Sequence, residues 1–590
     1  MKKRLSLLLA IMMLSFTVLA ACSSGGGTAE PQDPGENVET PANDNEAGED
    51  TETPPAEGED ASQGYFPAED MSGNPTAAKN RTDTLVVGMT APKGVFNPFY
   101  AQTAYDNYVV EVLFDSFLSV NEDGTYSNRM AESAEVSEDG LTYTYKLKSG
   151  ITYTDGSPVK ASDYAFAMKV YHDPAYEGQS DYLKYNIKGG REYYEGDATE
   201  IEGITVVDDL TVQIEVTEAT AQTFDALGGV WFAPEAVYGK DYKKGSLDYM
   251  NDLHGSPVGS GQYVLKSFKP GADVVFEGNE NYFLGAPKIK NVIFKTTTEE
   301  TKMAMLESGE TDMDQVTVDE DNIENLKSLG FIDLNIQPTN GYGYVGMNHN
   351  SPKFSDVKVR QALLYGLNRA EIVEIIYGDF ANVLNIPQSS VSWAYTTDGI
   401  ETYDFDLEKA KQLLDEAGWV PGADGIREKD DVKFNIDFSA TADNPVIDAM
   451  IPVMIQNYKE LGINVVADTL DFNAIIDKRE RGDFEMFFMA WGLTPDPDST
   501  VYLTDGQQNG LGFSSPAYDE AMKKGLYAMD LEERKAAYAE AYKILNQEIP
   551  DLLIYQRRDG WVYNGRVENV NISPYKRFTF DLYLTELSNE

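Results

Sequence analysis

The chain offers little that could make or break a covalent bond. Its only histidines, His172, His254 and His349, stand far apart in dissimilar contexts, so neither a histidine zinc site nor a Ser-His-Asp triad has material. No Gly-x-Ser-x-Gly elbow, phosphate-binding glycine loop or His-Glu-x-x-His helix occurs, and no spacing implies a metal or a cofactor. Aspartate and glutamate are abundant enough to furnish the two carboxylates of a glycoside hydrolase, but abundance alone supports that enzyme. What the side chains do supply is recognition. Tyrosine is frequent, and its ring suits the wall of a cleft as well as the core of a strand. The remaining chemistry is a single thiol, Cys22.

That thiol follows Lys2, Lys3 and Arg4, an apolar run over residues 5–18, and Leu19-Ala20-Ala21. A basic start, a short apolar stretch and small residues before a cut describe a secretory leader; a membrane span needs about 20 apolar residues. Leu-Ala-Ala-Cys resembles the lipobox of bacterial lipoproteins. The resemblance implies cleavage after a signal peptide of residues 1–21 and a diacylglycerol on Cys22. One cysteine excludes an internal disulfide, so the body must fold on core packing. Residues 22–80 carry no basic residue before Lys79 and almost nothing apolar, which predicts a disordered acidic tether with a reach of roughly 40–45 Å.

The formal net charge is −51 with a pI near 4.3. Nucleic acid, which demands stripes of Lys and Arg, is therefore excluded as a partner, and adsorption to anionic lipid is disfavoured. The apolar share of 42% is that of a globular body, long enough for about three domains.

Along that body strand and helix patterns alternate. Residues 84–89 read as a strand, and Tyr143, Tyr145 and Leu147 alternate with polar neighbours as a half-buried one. Ser162 to Tyr171 reads as a helix, while Val212 and Ile214 belong to another alternating strand. Lys269-Pro270-Gly271 turns a hairpin. Later, Asp406 caps a helix stopped by Gly418, and Asp530 caps one that ends before Pro550. Residues 463–467 and 486–490 are apolar on both faces, which predicts buried strands covered by helices on both sides.

Phe96-Asn97-Pro98, the run Ser137-Glu138-Asp139-Gly140-Leu141-Thr142-Tyr143, Thr154-Asp155-Gly156-Ser157-Pro158-Val159 and Pro257-Val258-Gly259-Ser260-Gly261-Gln262-Tyr263 occur in that order. With Ser308-Gly309-Glu310-Thr311-Asp312 and Asp356-Val357-Lys358-Val359-Arg360-Gln361-Ala362-Leu363, they resemble the extracellular solute-binding proteins of the peptide and nickel type over residues 84–590. The resemblance implies an α/β, three-lobed periplasmic-binding-protein-like fold of type II, two main lobes closing by a hinge plus an extra inserted lobe. It places lobe I at 81–116, 205–337 and 565–590, lobe II at 117–204 and lobe III at 338–564. Arg360 is expected in a structural ion pair.

The function implied is that of a receptor for an ABC importer. It would be a monomer, lipid-anchored on the outer face of the cytoplasmic membrane of a Gram-positive type cell, handing oligopeptides to permease subunits. A nickel chelate, an opine or an oligosaccharide as solute stays open, as does a surface sensor or adhesin. Trp491 matches the tryptophan that ends a strand in lobe III of peptide binders. Several of those place an acid three positions later; here that position is Thr494, and Asp496 or Asp498 is expected to replace it. Tyr342 and Tyr344, one face of the strand opening lobe III, together with Asn348 and Trp393, complete the expected ligand contacts.

Overall fold

A computed structural model describes residues 64–442, 444–497 and 500–588; Cys22, the leader, the acidic segment through residue 63 and Asp498 lie outside the described residues. One long strand, Asp551–Asn564, belongs to two lobes at once. Residues 551–557 pair antiparallel with Gly341–Met347 and Ala381–Val383, while residues 558–564 pair with Ile332–Pro338 on one edge and Met313–Thr317 on the other. The sheet of lobe I continues through Thr84–Met89, Asn291–Thr296, Asp273–Gly278 and Tyr263–Lys269. That of lobe III continues through Gly341–Met347, Met486–Gly492, Asn435–Thr441 and Asn464–Leu470. The chain crosses between these lobes at residues 338–341 and again near 557, so the expected end of lobe III at 564 moves back by about one half-strand.

Lobe II is a separate four-stranded sheet in the order Ala131–Val136, Thr142–Leu147, Thr211–Glu215, Ile204–Asp208. The expected boundary at residue 204 is therefore corrected. Thr211–Glu215 pairs with Thr142–Leu147, setting Val212 opposite Tyr145 and Ile214 opposite Tyr143. The stretch that follows packs on the same lobe: Tyr164 of the Ala161–Tyr171 helix donates to the carbonyl of Leu227 at 3.0 Å, and Asp163 accepts from the amide of Glu235 at 2.9 Å. Lobe I resumes only at Tyr263. Period-two alternation marks a strand but not its partner, which here lies about seventy residues away.

Residues 64–80, expected to belong to the tether, are instead folded onto lobe I. Gly64–Phe66 pairs antiparallel with Ile332–Pro338, the amide of Ala68 donates to Asp333 at 2.7 Å, and Asn564 donates to the buried Asn74 at 2.9 Å. Phe66 and Met71 pack beside the core formed by Leu306, Leu326, Phe331 and Val562. A few apolar residues suffice because an edge strand offers unpaired backbone to any neighbouring segment.

Both faces of the lobe III sheet are covered, each by its own core. Val345, Phe488, Leu552 and Ile554 meet the helices Val357–Tyr365 and Pro445–Glu460, whereas Tyr344, Phe487 and Leu553 meet Pro516–Tyr527 and Leu531–Glu548. Asn464–Leu470 departs from expectation as an outer strand, with Val466 52% exposed. Met486–Gly492 is buried only over its first three residues, since its far end runs out to the lobe's rim. The helix ends are those expected: Asp406 accepts from the amide of Lys409, and Asp530 from those of Glu532 and Glu533. Among the described residues Arg360 makes no ion pair. Its guanidinium donates instead to the carbonyls of Phe354, Glu548 and Ile549, neutralising the exposed carbonyls at the end of the Leu531–Glu548 helix. Burial lowers its pKa to about 10.

Candidate functional site

The end of Met486–Gly492 nearest the lobe crossing carries Trp491. Antiparallel register sets Trp491 opposite Tyr342 and Gly341 opposite Gly492. Gly341 permits that approach, because a Cβ there would stand 2.4 Å from the Trp491 carbonyl. The indole is half-buried, lies parallel to the ring of Tyr344 at a centroid distance of 6.3 Å, and has the Arg479 guanidinium 5.4 Å from its own centroid.

Tyr342 and Tyr344 share one face, as the alternation required, but that face is core. They are 4% and 1% exposed, and the Tyr342 hydroxyl is hydrogen-bonded to that of Tyr502 at 2.9 Å. The helices of lobe III seal the face, so neither ring opens onto the gap between lobes. Asn348 is corrected for a different reason. It follows the opposite end of Gly341–Met347, roughly 20 Å along the strand from Gly341, where its amide group bonds the carbonyl of Phe484 and the amide of Asn350.

Trp393 and Asp496 are brought together through a residue that the sequence did not single out. Arg534, on the Leu531–Glu548 helix, donates to both carboxylate oxygens of Asp496 and lies 4.7 Å from the Trp393 ring centroid. From the other side of the gap, the Gln222 amide of lobe II donates to Asp496 at 2.7 Å and to the carbonyl of Pro497 at 2.8 Å. The Asp496 carboxylate thus accepts three hydrogen bonds from protein groups, two on Oδ1 and one on Oδ2. Thr494 is exposed and donates its hydroxyl to the Asp496 carbonyl within the same loop. Nothing in Leu531-Glu532-Glu533-Arg534 distinguishes the arginine from a solvated helix face, and Gln222 has no motif; only the tertiary fold reveals either.

Lobe II contributes Asp225 as well, on the short helix Thr223–Gly228 that Gln222 immediately precedes. Burial, reinforced by the charge of Asp496, pushes its carboxyl up to about 6. Further contacts close the same gap. Asn186 donates to the Tyr527 hydroxyl at 2.7 Å, the amide of Ala221 to the Leu526 carbonyl at 3.1 Å, and Lys93 of lobe I pairs with Asp477 of lobe III at 2.9 Å. The groups around this gap are aromatic rings, amides and paired charges. Among the described residues, no group of three or more His, Cys, Asp or Glu is placed to hold a metal ion.

Two sheets sharing a strand, a lobe inserted in the first, and recognition groups facing across the gap define a type II binding-protein fold. Residues 125–512 match the family profile of the bacterial extracellular solute-binding proteins, family 5, and the chain belongs to that family. Among curated relatives, the oligopeptide-binding protein AppA of Bacillus subtilis is 26% identical over 514 residues, covering 85% of this chain and 90% of that protein. The solved structure of Bacillus subtilis AppA in complex with a nonapeptide matches at TM-score 0.79 and 24% identity, over 86% of this chain and 99% of that one. NikZ of Campylobacter jejuni in complex with Ni(L-His) matches at TM-score 0.73 and 22% identity, over 86% and 99%.

Proposed function

We propose that this protein captures an extended oligopeptide between lobe III and the facing surfaces of lobes I and II, and delivers it to the permease of an ABC importer. AppA, a relative along nearly the whole body, is named for oligopeptides, and the observation that carries the reading is the placement of Trp491 at the strand end beside the lobe crossing. Trp491 and Trp393 offer rings to ligand side chains. With Asp496 engaged by Arg534 and Gln222, Asp498 takes the duty of meeting a free α-amino group.

The body acts as a monomer outside the cell. A lipid on Cys22 and the acidic segment hold it at the outer face of the cytoplasmic membrane in a Gram-positive type envelope. The lipobox-like residues support the anchor, and among the described residues no helix is long and apolar enough to cross a membrane. Cys22→Ala is expected to release the body from the membrane fraction; normal retention of a processed Cys22→Ala protein refutes the anchor.

The solute is identified by mass spectrometry of whatever co-purifies with untagged protein, followed by calorimetry. Peptides are the expected finding. Recovery of a nickel chelate, an opine or an oligosaccharide, with no peptide bound, overturns the peptide reading while leaving the receptor role intact.

A further inference from the structure

Gln222 and Asp225 stand three residues apart, one just before and one within the Thr223–Gly228 helix, so both side chains project from one side of lobe II. Gln222 donates to Asp496 of lobe III at 2.7 Å, which sets Asp225 beside the same carboxylate. The Asp225 carboxylate is half-buried, and among the described residues it has neither a hydrogen bond nor an ion pair.

Its surroundings supply no countercharge. From lobe II it is faced by the phenols of Tyr126 and of Tyr145, whose hydroxyl is spent on the carbonyl of Phe224 at 2.6 Å. Tyr185 stands behind Tyr126, with the Lys184 ammonium 5.3 Å from its ring centroid. From lobe III comes Asp496, and the Arg534 guanidinium behind it is turned to both oxygens of that carboxylate. Two carboxylates therefore meet where the lobes touch, and the guanidinium serves only one of them. Histidines, the usual titrating groups near neutrality, are engaged elsewhere: His172 bonds the Met168 carbonyl, His349 the Pro550 carbonyl, and His254 lies beside the Tyr100 ring.

We propose that the meeting of lobes II and III is linked to a proton: closing brings Asp225 against Asp496, the closed form takes up a proton on Asp225, and the lobes part more readily at neutral pH than in mild acid. Desolvation and a like charge both disfavour the ionised carboxyl, and together they push Asp225 up to about 6 in the closed form. Once lobe II swings away, water replaces the neighbouring charge and the carboxyl returns towards about 3.9. Between those values the closed form holds a proton that the open form has released, so closing gains as pH falls through 6 and loses as pH rises through it. The ratio of closed to open protein should be up to about tenfold greater at pH 5 than at pH 7.5. The inference concerns the lobes alone and holds whichever solute they capture.

Small-angle scattering of ligand-free protein between pH 5 and pH 7.5 tests it. The wild-type radius of gyration should rise with pH. Asp225→Asn keeps the position neutral and should be as compact at pH 7.5 as wild type is at pH 5; Asp225→Ala, which removes the carboxyl outright, should also lose the rise. General repulsion in a chain of 98 acidic and 47 basic residues swells wild type and variants alike, so the result is the difference between them. An equal rise in wild type and variants overturns the inference, as does a wild-type radius that pH leaves unchanged. A melting temperature recorded at each pH shows whether either variant has unfolded, in which case the other decides.

Discussion

Asp551 opens the strand that two lobes share, with its carboxyl buried and one polar side chain beside it, the Tyr502 hydroxyl at 2.6 Å. Burial pushes its pKa up to about 7, against about 3.9 for an unfolded aspartate. Between those values the folded protein holds a proton that the unfolded chain has released. Stability contributed by this group therefore falls as pH rises from about 4 to 7. In Asp551→Asn the drop in unfolding free energy between pH 4.5 and pH 7.5, measured with urea, should be smaller than in wild type; an unchanged drop refutes the assignment. Other carboxylates raised by burial, Asp314 and Asp225 among them, titrate with the same sign and are present in both proteins. Residue identity at the gap was only partly legible in the sequence. Trp491 could be picked out because it matches the tryptophan that ends a strand in the peptide binders it resembles, and Trp393 because it follows a loop expected near the mouth of the gap. Arg534 and Gln222 could not, because their roles arise from a carboxylate distant in the sequence, for Gln222 on another lobe, and leave no local pattern. Tyr342 and Tyr344 illustrate the converse: alternation gave them a common face, but whether helices seal that face is a tertiary fact.

Segment 64–80 behaves as an element of lobe I although its composition resembles a linker. The Gly64–Phe66 strand extends the sheet beyond Ile332–Pro338, Phe66 lies 3.7 Å under the Lys327 ammonium, and Ala78 is fully buried. A protein beginning at residue 81 should be less stable than one beginning at residue 64 by about 2–4 kcal/mol, from lost apolar burial and strand hydrogen bonds. Equal urea midpoints and slopes for the two would show that the segment contributes nothing. The wider lesson concerns what strand and helix signals carry. Caps at Asp406 and Asp530 and the hairpin at Lys269-Pro270-Gly271 were readable because their bonds lie within a few residues. Lobe limits were not, because the Thr211–Glu215 strand could belong to either neighbour until its partner was seen, and the Asp551–Asn564 strand belongs to both.

For the whole molecule, the contacts between lobes II and III decide how readily the gap opens. Gln222 spans it with two hydrogen bonds, to Asp496 and to Pro497, and Asp496 is held for that purpose by the buried Arg534. Asn186 and Ala221 add one bond each, to Tyr527 and Leu526. These bonds exist only while the lobes meet, so they favour the closed form over the open one, whereas the hinge pairing of Asp551–Asn564 is common to both. At about 0.5–1.5 kcal/mol each, the two bonds of Gln222 shift the equilibrium by roughly fivefold to a hundredfold. Gln222→Leu is therefore expected to raise the radius of gyration of ligand-free protein in small-angle scattering and to speed ligand release. Asp496→Asn should do the same and also lower stability, since it leaves a buried guanidinium short of its counter-charge; the third of Asp496 that is exposed moderates the loss. In the double variant the two effects on ligand release should fall short of their sum, because both act on one bond. Additive effects would mean that the two residues act separately. An unchanged scattering curve and release rate in Gln222→Leu would place the balance of closure in the hinge and the bound solute alone.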